Sequence, residues 1–233
     1  MRDRAEMDDV LPLPGVPEHG RSQQALQAMQ STNPTALDDD LSPKLVHLIR
    51  STYKMMGRQG VNGLNLQDVA DDAGVSKATL FYYFESKETL ILTTMRWVLA
   101  RVARRIRDSV ARAELAHDMV LAMIDAIFVG AEANRLFYLS FIDLLAYAAR
   151  NDKFGDLHDT FRCIMNGMYA DIIRVGLDEG TFHVADVAEA ATVVRAIIDG
   201  LFLQWIHDAD WADRYLERRE ACKHAILAYL QAD

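Results

Sequence analysis

The sequence predicts an all-α protein, and three observations carry that prediction. All five prolines, Pro12, Pro14, Pro17, Pro34 and Pro43, fall within the first 43 residues. The 190 positions after them are rich in Ala, Leu, Ile, Arg and Glu, with apolar residues recurring at helical spacing. No alternating strand pattern persists anywhere, and no segment repeats at a fixed period.

The elements follow in order. Residues 1–41 contain the run Asp38-Asp39-Asp40 and a polar stretch from Gln23 to Thr35. Such a segment has too little apolar surface to offset its ordering entropy, so it is expected to be a disordered acidic arm. Ser42-Pro43 starts the first helix, a hydroxyl cap followed by proline at the first helical position. Leu45, Leu48, Ile49, Tyr53 and Met56 continue it, and Gly60 can end it. Asn65 caps a short helix over 66–73, Gly74 turns the chain, and Ser76 caps a third helix reaching Phe84. Ser86 caps a long fourth helix running past Arg107. Further amphipathic helices are expected over 118–130, 133–149, 154–179, 186–207 and 211–231, with Asp186 and Glu189 as a capping box.

Composition sets the class. The chain has 233 residues, 51% hydrophobic and 25% charged, which suits a globular protein of one or two domains. No apolar run of 18 residues exists, and the start is charged rather than basic-then-apolar, so neither a membrane span nor a secretory signal is expected. A cytoplasmic protein is the expectation. Cys163 and Cys222 have no C-x-x-C spacing and are expected to be buried hydrophobes. No catalytic signature occurs: no G-x-S-x-G, no G-x-x-x-x-G-K and no H-E-x-x-H. The seven histidines form no pair at i, i+3 or i, i+4, so no metal site, cofactor or enzymatic role is expected.

Between Leu64 and Leu90 the chain reads LNLQDVADDAGVSKATLFYYFESKETL. A short helix, a glycine turn and a second capped helix, closed by Leu66, Val69, Ala70, Val75, Leu80, Phe81 and Phe84, make a helix-turn-helix pattern. Its second helix then presents Lys77, Ala78, Thr79, Tyr82 and Tyr83 outward, residue types that suit a major groove. Gln67 could read adenine or hold a phosphate. Lys87 lies in the first turn of the fourth helix, where free N–H groups attract phosphate. Residues 43–107 carry 11 Lys and Arg against 5 Asp and Glu, and the rest carries 14 against 29. A module of net +6 joined to a body of net −15 fits phosphate binding at one end, although the whole chain is −9.

The body offers two further surfaces. Residues 190–207, AATVVRAIIDGLFLQWIH, are apolar on more than one face and must be buried by something. Gly200, Leu201 and Leu203, with Tyr215 and Ile226 of the last helix, are the candidate dimer contacts. Met123, Phe128, Phe137, Phe141, Met165, Tyr169, Phe202 and Trp205 are candidate lining for a small, largely apolar effector pocket. Asp125, Asp143 and Asp199 lie in apolar stretches and need partners. Internal pairing with Arg135 or Arg195 or a place at the dimer seam would supply them, as would a cationic ligand with aromatics such as Trp205. An acyl, an aromatic and a cationic effector all remain open.

Residues 43–102 resemble the DNA-binding domain of the TetR family of bacterial transcriptional regulators. The family's run G-V-S-x-x-T-L-Y-x-Y-F-x-x-K-x-x-L is matched by Gly74, Val75, Ser76, Thr79, Leu80, Phe81, Tyr83, Phe84, Lys87 and Leu90. The stretch AIIDGLFLQWIHDAD resembles the branch with a choline-repressor-like C-terminal domain. The resemblance implies an N-terminal three-helix DNA-binding domain over 42–102 and a helical ligand-binding and dimerisation domain over 103–233. It implies a homodimer on a palindromic double-stranded operator, acting as a repressor that an effector releases. It places Lys77, Ala78, Thr79 and Tyr82 towards bases, Tyr83 and Lys87 on phosphates, and Gln67 near the groove edge. Two positions depart from the pattern. Phe81 replaces the usual tyrosine at a position expected to face inward, and Leu66 stands where a phosphate-binding Thr or Ser is common. The competing reading is a helical small-molecule-binding protein or enzyme that does not touch DNA.

Overall fold

The computed structural model describes residues 41–151 and 154–232, with the backbone alone for 155–161. The expected acidic arm lies outside these residues except for Leu41, which is buried in the core rather than part of a free arm. Among the described residues no strand occurs. The helices are α1 (Pro43–Gly63), α2 (Leu66–Asp72), α3 (Lys77–Tyr83), α4 (Lys87–Val110), α5 (Ala116–Ile127), α6 (Ala131–Ala148), α7 (Gly155–Asp178), α8 (Val187–Trp205) and α9 (Tyr215–Leu230).

Each expected cap is formed. Ser42 accepts from the Leu45 N–H, Asn65 from Gln67, Ser76 from Thr79, Ser86 from Thr89 and Asp186 from Glu189. These bonds satisfy N–H groups that have no partner within their own helix. Helix α1 is broken at Gly60, whose φ of 73° lies in the left-handed region.

Two differences in helix boundaries have clear causes. The break between α5 and α6 falls earlier than expected, because the buried Asn134 side chain holds the connecting backbone and the last carbonyl of α5. Its Oδ1 accepts the Val129 N–H at 3.0 Å, and its amide donates to the Ile127 carbonyl at 2.9 Å. The last helix begins at Tyr215 rather than 211. Trp205 Nε1 donates to the Trp211 carbonyl at 2.5 Å and holds it outside the helix, while Arg218 pairs with Asp208 at 3.1 Å.

One continuous core links α1–α4 to the helices that follow. At its centre α1 crosses α6 closely. A Cβ on Gly57 would overlap Leu136 Cδ1, and at 3.5 Å it would meet Ser140 Oγ. One turn on, Asp143 of α6 accepts the N–H of Val61, just past the Gly60 break. Asp143 thus finds a backbone partner rather than an arginine. Cys222 is buried, and burial pushes its thiol up to about 12, but Cys163 is exposed, contrary to expectation. Among the described residues no helix is long and apolar enough to cross a membrane.

Candidate nucleic-acid interface and effector site

The α2–α3 corner is built from local chemistry. Gly74 adopts φ 62°, and a Cβ there would meet nothing within 4 Å, so the positive φ alone favours glycine. The Val75 N–H donates to the Ala70 carbonyl at 2.9 Å and closes the corner. Leu80 and Phe84 face the core. The opposite side of α3 carries exposed Lys77, Ala78 and Tyr82, the last 62% exposed.

Four of the expected DNA-facing residues are less free than the sequence alone suggests. Thr79 is half-buried, and its Oγ1 lies 2.9 Å from the capping Ser76 Oγ. Tyr83 is also half-buried, edge-on to Tyr82 with centroids 5.2 Å apart. Lys87 Nζ donates to the Asn62 carbonyl at 3.1 Å, tying the first turn of α4 to the end of α1. Gln67 is exposed, and its amide donates along α2 to Asp71 at 2.8 Å.

Two residues were misread or missed. Phe81 is 48% exposed and turned outward, not part of the small core. On a seven-residue helix the inward stripe is only Leu80 and Phe84, and Phe81 lies one residue around from it. Lys44, in the first turn of α1, lines a cleft with Ser76, Ala78, Thr79, Tyr82 and Tyr83. No local pattern could have revealed it, because tertiary packing alone brings α1 beside α3.

The body holds a cluster of touching aromatic rings. Phe202 stacks on Phe128 at 4.5 Å and on Tyr138 at 4.0 Å, with Trp205 edge-on at 5.7 Å. Tyr215 closes the circuit, 5.4 Å from both Phe128 and Trp205. The Arg135 guanidinium sits over Trp211, 4.9 Å from the ring centroid, and Trp211 packs on Trp205 at 5.8 Å. Beside the cluster, Tyr138 donates to Asp199 at 3.4 Å, and Arg195 pairs with Asp199 at 3.3 Å. Burial raises the Asp199 carboxyl above its ordinary 3.8, and Arg195 offsets part of the rise. Asp125, the third carboxylate in question, is held by Lys223 at 2.6 Å.

The candidate pocket residues therefore divide. Phe128, Phe202 and Trp205 share the ring cluster, and Phe137 joins it through Tyr138 while stacking on Phe141. Met123 and Tyr169 instead line a separate apolar cavity of about 10 Å³, room for about one water. Met165 is buried. Among the candidate dimer residues, Leu203 is 47% exposed, Gly200 and Leu201 are half-buried, and a Cβ on Gly200 would meet nothing within 4 Å. Tyr215 and Ile226 point inward instead, at 6% and 0% exposure. The Tyr215 hydroxyl donates to Asn134 at 2.5 Å and accepts the Gly130 N–H at 2.9 Å, which fixes it in the interior.

Two family models match this chain. Residues 48–94 fit bacterial regulatory proteins of the tetR family, and residues 116–231 fit the C-terminal part of BetI-type transcriptional repressors. The chain belongs to the TetR family. It is a ligand-responsive, DNA-binding transcriptional regulator and not an enzyme, which sets aside the competing reading. Among its relatives, the transcriptional regulator BetI of Brucella canis is 26% identical over 166 residues, 71% of this chain and 81% of that protein. BetI of Vibrio campbellii is 24% identical over 160 residues, 67% and 77% of the two chains. A transcriptional regulator from Saccharomonospora viridis, solved in complex with choline, shares the fold at TM-score 0.73 and 21% identity, covering 81% of this chain and 97% of that one. A TetR regulator from Haloarcula marismortui matches at TM-score 0.70 and 22% identity, with the same coverage.

Proposed function

We propose that residues 42–102 form the DNA-binding domain of a homodimeric repressor, with α3 as the helix that enters the major groove. Lys77, Ala78 and Tyr82 face the bases; Thr79 and Tyr83 form one flank of α3, and Lys44 stands beside that flank for phosphates. Gln67 and Lys87 hold the groove edge and a second phosphate with the donors they have left. The observation that carries this reading is the exposed face of α3, set on a segment of net +6. Residues 103–233 form the effector and dimerisation domain. Its pairing face is Gly200, Leu201 and Leu203 of α8 with Leu216 of α9, which is 58% exposed.

The effector we propose is a small quaternary ammonium cation such as choline, bound among Phe128, Tyr138, Phe202, Trp205 and Tyr215 with Asp199 as counter-ion. Ring faces attract cations within about 6 Å of the centroid. Arg135 over Trp211 is a cation already seated at the edge of this cluster. Charge on Asp199 is disfavoured by burial, and a ligand cation relieves that penalty. The BetI-type match and the choline-bound neighbour support the same class. The rings are in mutual contact, so the ligand must displace at least one of them.

Tyr138 is on α6, which meets α1 at Gly57 and Val61, while α4 joins α3 to the body. Ring displacement therefore shifts both α6 and α4 and changes the spacing of the two reading heads. Release requires the ligand to prefer the state that does not bind DNA. The test is fluorescence anisotropy of a duplex selected by the wild-type protein, titrated with choline. Saturable release by choline, weakened at least tenfold in Asp199→Asn, is expected. Release unaffected by that substitution, or no release, overturns the assignment of the effector.

A further inference from the structure

We propose that Phe81 is a sequence-reading residue whose ring takes the 5-methyl group of a thymine in each half-site. This rests on the reading of α3 as the groove helix and assigns one of its bases. Phe81 is 48% exposed, and among the described residues its ring stacks on no other, whereas the neighbouring Tyr82 and Tyr83 pack on each other. It stands one helical turn from Lys77 and three residues from Ala78, both exposed. The flank of α3 that it forms with Lys77 lies opposite the Lys44 cleft, which Phe81 does not line.

The ring has no polar atom. A tyrosine in this place could offer its hydroxyl to a phosphate, but a phenylalanine gains only by covering apolar surface. In the major groove the apolar group among the base edges is the thymine 5-methyl, and phenylalanine is one of the side chains that contact it. Ala78 keeps the helix surface low beside the ring, so the ring edge can approach the base plane. The half-exposed phenyl is thus a gap in the polar reading face that a methyl group fills.

The experiment uses the full-length protein and a duplex that it enriches from a randomised pool. Each thymine is replaced, one symmetric pair at a time, by deoxyuridine, which removes only the methyl group. One methyl-sized contact is worth roughly fourfold in affinity (about 0.8 kcal/mol), so one pair is expected to cost about 15-fold across a dimer. Phe81→Ala is expected to lose sensitivity at that pair while keeping the wild-type response at the others and its melting temperature. Phe81→Tyr, which keeps the ring, is expected to retain the sensitivity. The proposal is overturned if no deoxyuridine pair weakens wild-type binding more than twofold. It is also overturned if Phe81→Ala gives the wild-type profile. In both cases salt-sensitive duplex binding would remain, and the reading of α3 would stand. If the wild type enriches no duplex, that reading falls and the thymine contact falls with it.

Discussion

Substituting Gly60 by alanine strains the junction of α1 and α6 in two ways at once. At φ 73° and ψ 167°, a region essentially confined to glycine, an alanine costs about 1–3 kcal/mol. Its Cβ would stand 2.8 Å from Asp143 Oδ2, so the carboxylate must move off the Val61 N–H. A hydrogen bond to a charged acceptor contributes roughly 1.5–3 kcal/mol, and Val61 is fully buried, so water cannot replace it. Part of that bond survives a small shift, which puts the expected loss near 3 kcal/mol. For a chain of this size that is roughly 6–12 °C in melting temperature. The assay is thermal and urea unfolding at one fixed protein concentration, since dimerisation contributes to stability. Gly60→Asn is expected to lose at least as much as alanine, because at ψ 167° the backbone lies outside the left-handed helical basin that asparagine tolerates. Asp143→Ala is expected to lose about 1–3 kcal/mol through the orphaned N–H. The double variant Gly60→Ala/Asp143→Ala is expected to lose less than the sum, because both changes break one contact. A Gly60→Ala loss under 0.5 kcal/mol, or strict additivity in the double variant, refutes the reasoning.

Two further outcomes follow from buried groups. Asn134→Ala removes the side chain that bonds the Ile127 carbonyl and the Val129 N–H between α5 and α6 and accepts the Tyr215 hydroxyl, and about 2–4 kcal/mol of stability is expected to go with it; urea unfolding reads this directly. The Asp199 carboxyl is raised above its ordinary 3.8, so the native state holds that proton more tightly than the unfolded chain. Wild-type stability relative to Asp199→Asn is therefore expected to fall as pH rises from about 3.8 through the raised value, and to stay level above it. Paired urea titrations across pH 4–8 test the sign, and a wild type that gains on the variant as pH rises contradicts it.

The local signals were the legible ones. Ser42, Asn65, Ser76, Ser86 and Asp186 could be read as caps because a cap bonds within three residues of itself. The corner at Gly74 was legible for the same reason. Partners far along the chain were not. Asp143 bonds a backbone N–H 82 residues away, which no charge-pairing argument could find, whereas Asp199 and Arg195, four residues apart, were within reach. Phe81 shows a different limit. Being apolar, it was assigned inward, although the phase of α3 is set by Leu80 and Phe84 alone. Tyr215 and Ile226 were taken for dimer contacts beside the apolar face of α8, but the outward residues of α9 are mostly polar and those two serve the interior. The ring cluster was half legible: Phe128, Phe202 and Trp205 were named, but Tyr138, Tyr215 and Trp211 join them only once α6, α8 and the loop before α9 pack together.

The central claim is that the outward face of α3 holds DNA. Its most direct test is the affinity of the Tyr82→Ala/Tyr83→Ala double variant for the selected duplex, measured by anisotropy across a salt series beside the wild type. With the fold intact by circular dichroism, a loss of at least tenfold and a shallower salt dependence are expected. Wild-type affinity and an unchanged salt slope would contradict the claim.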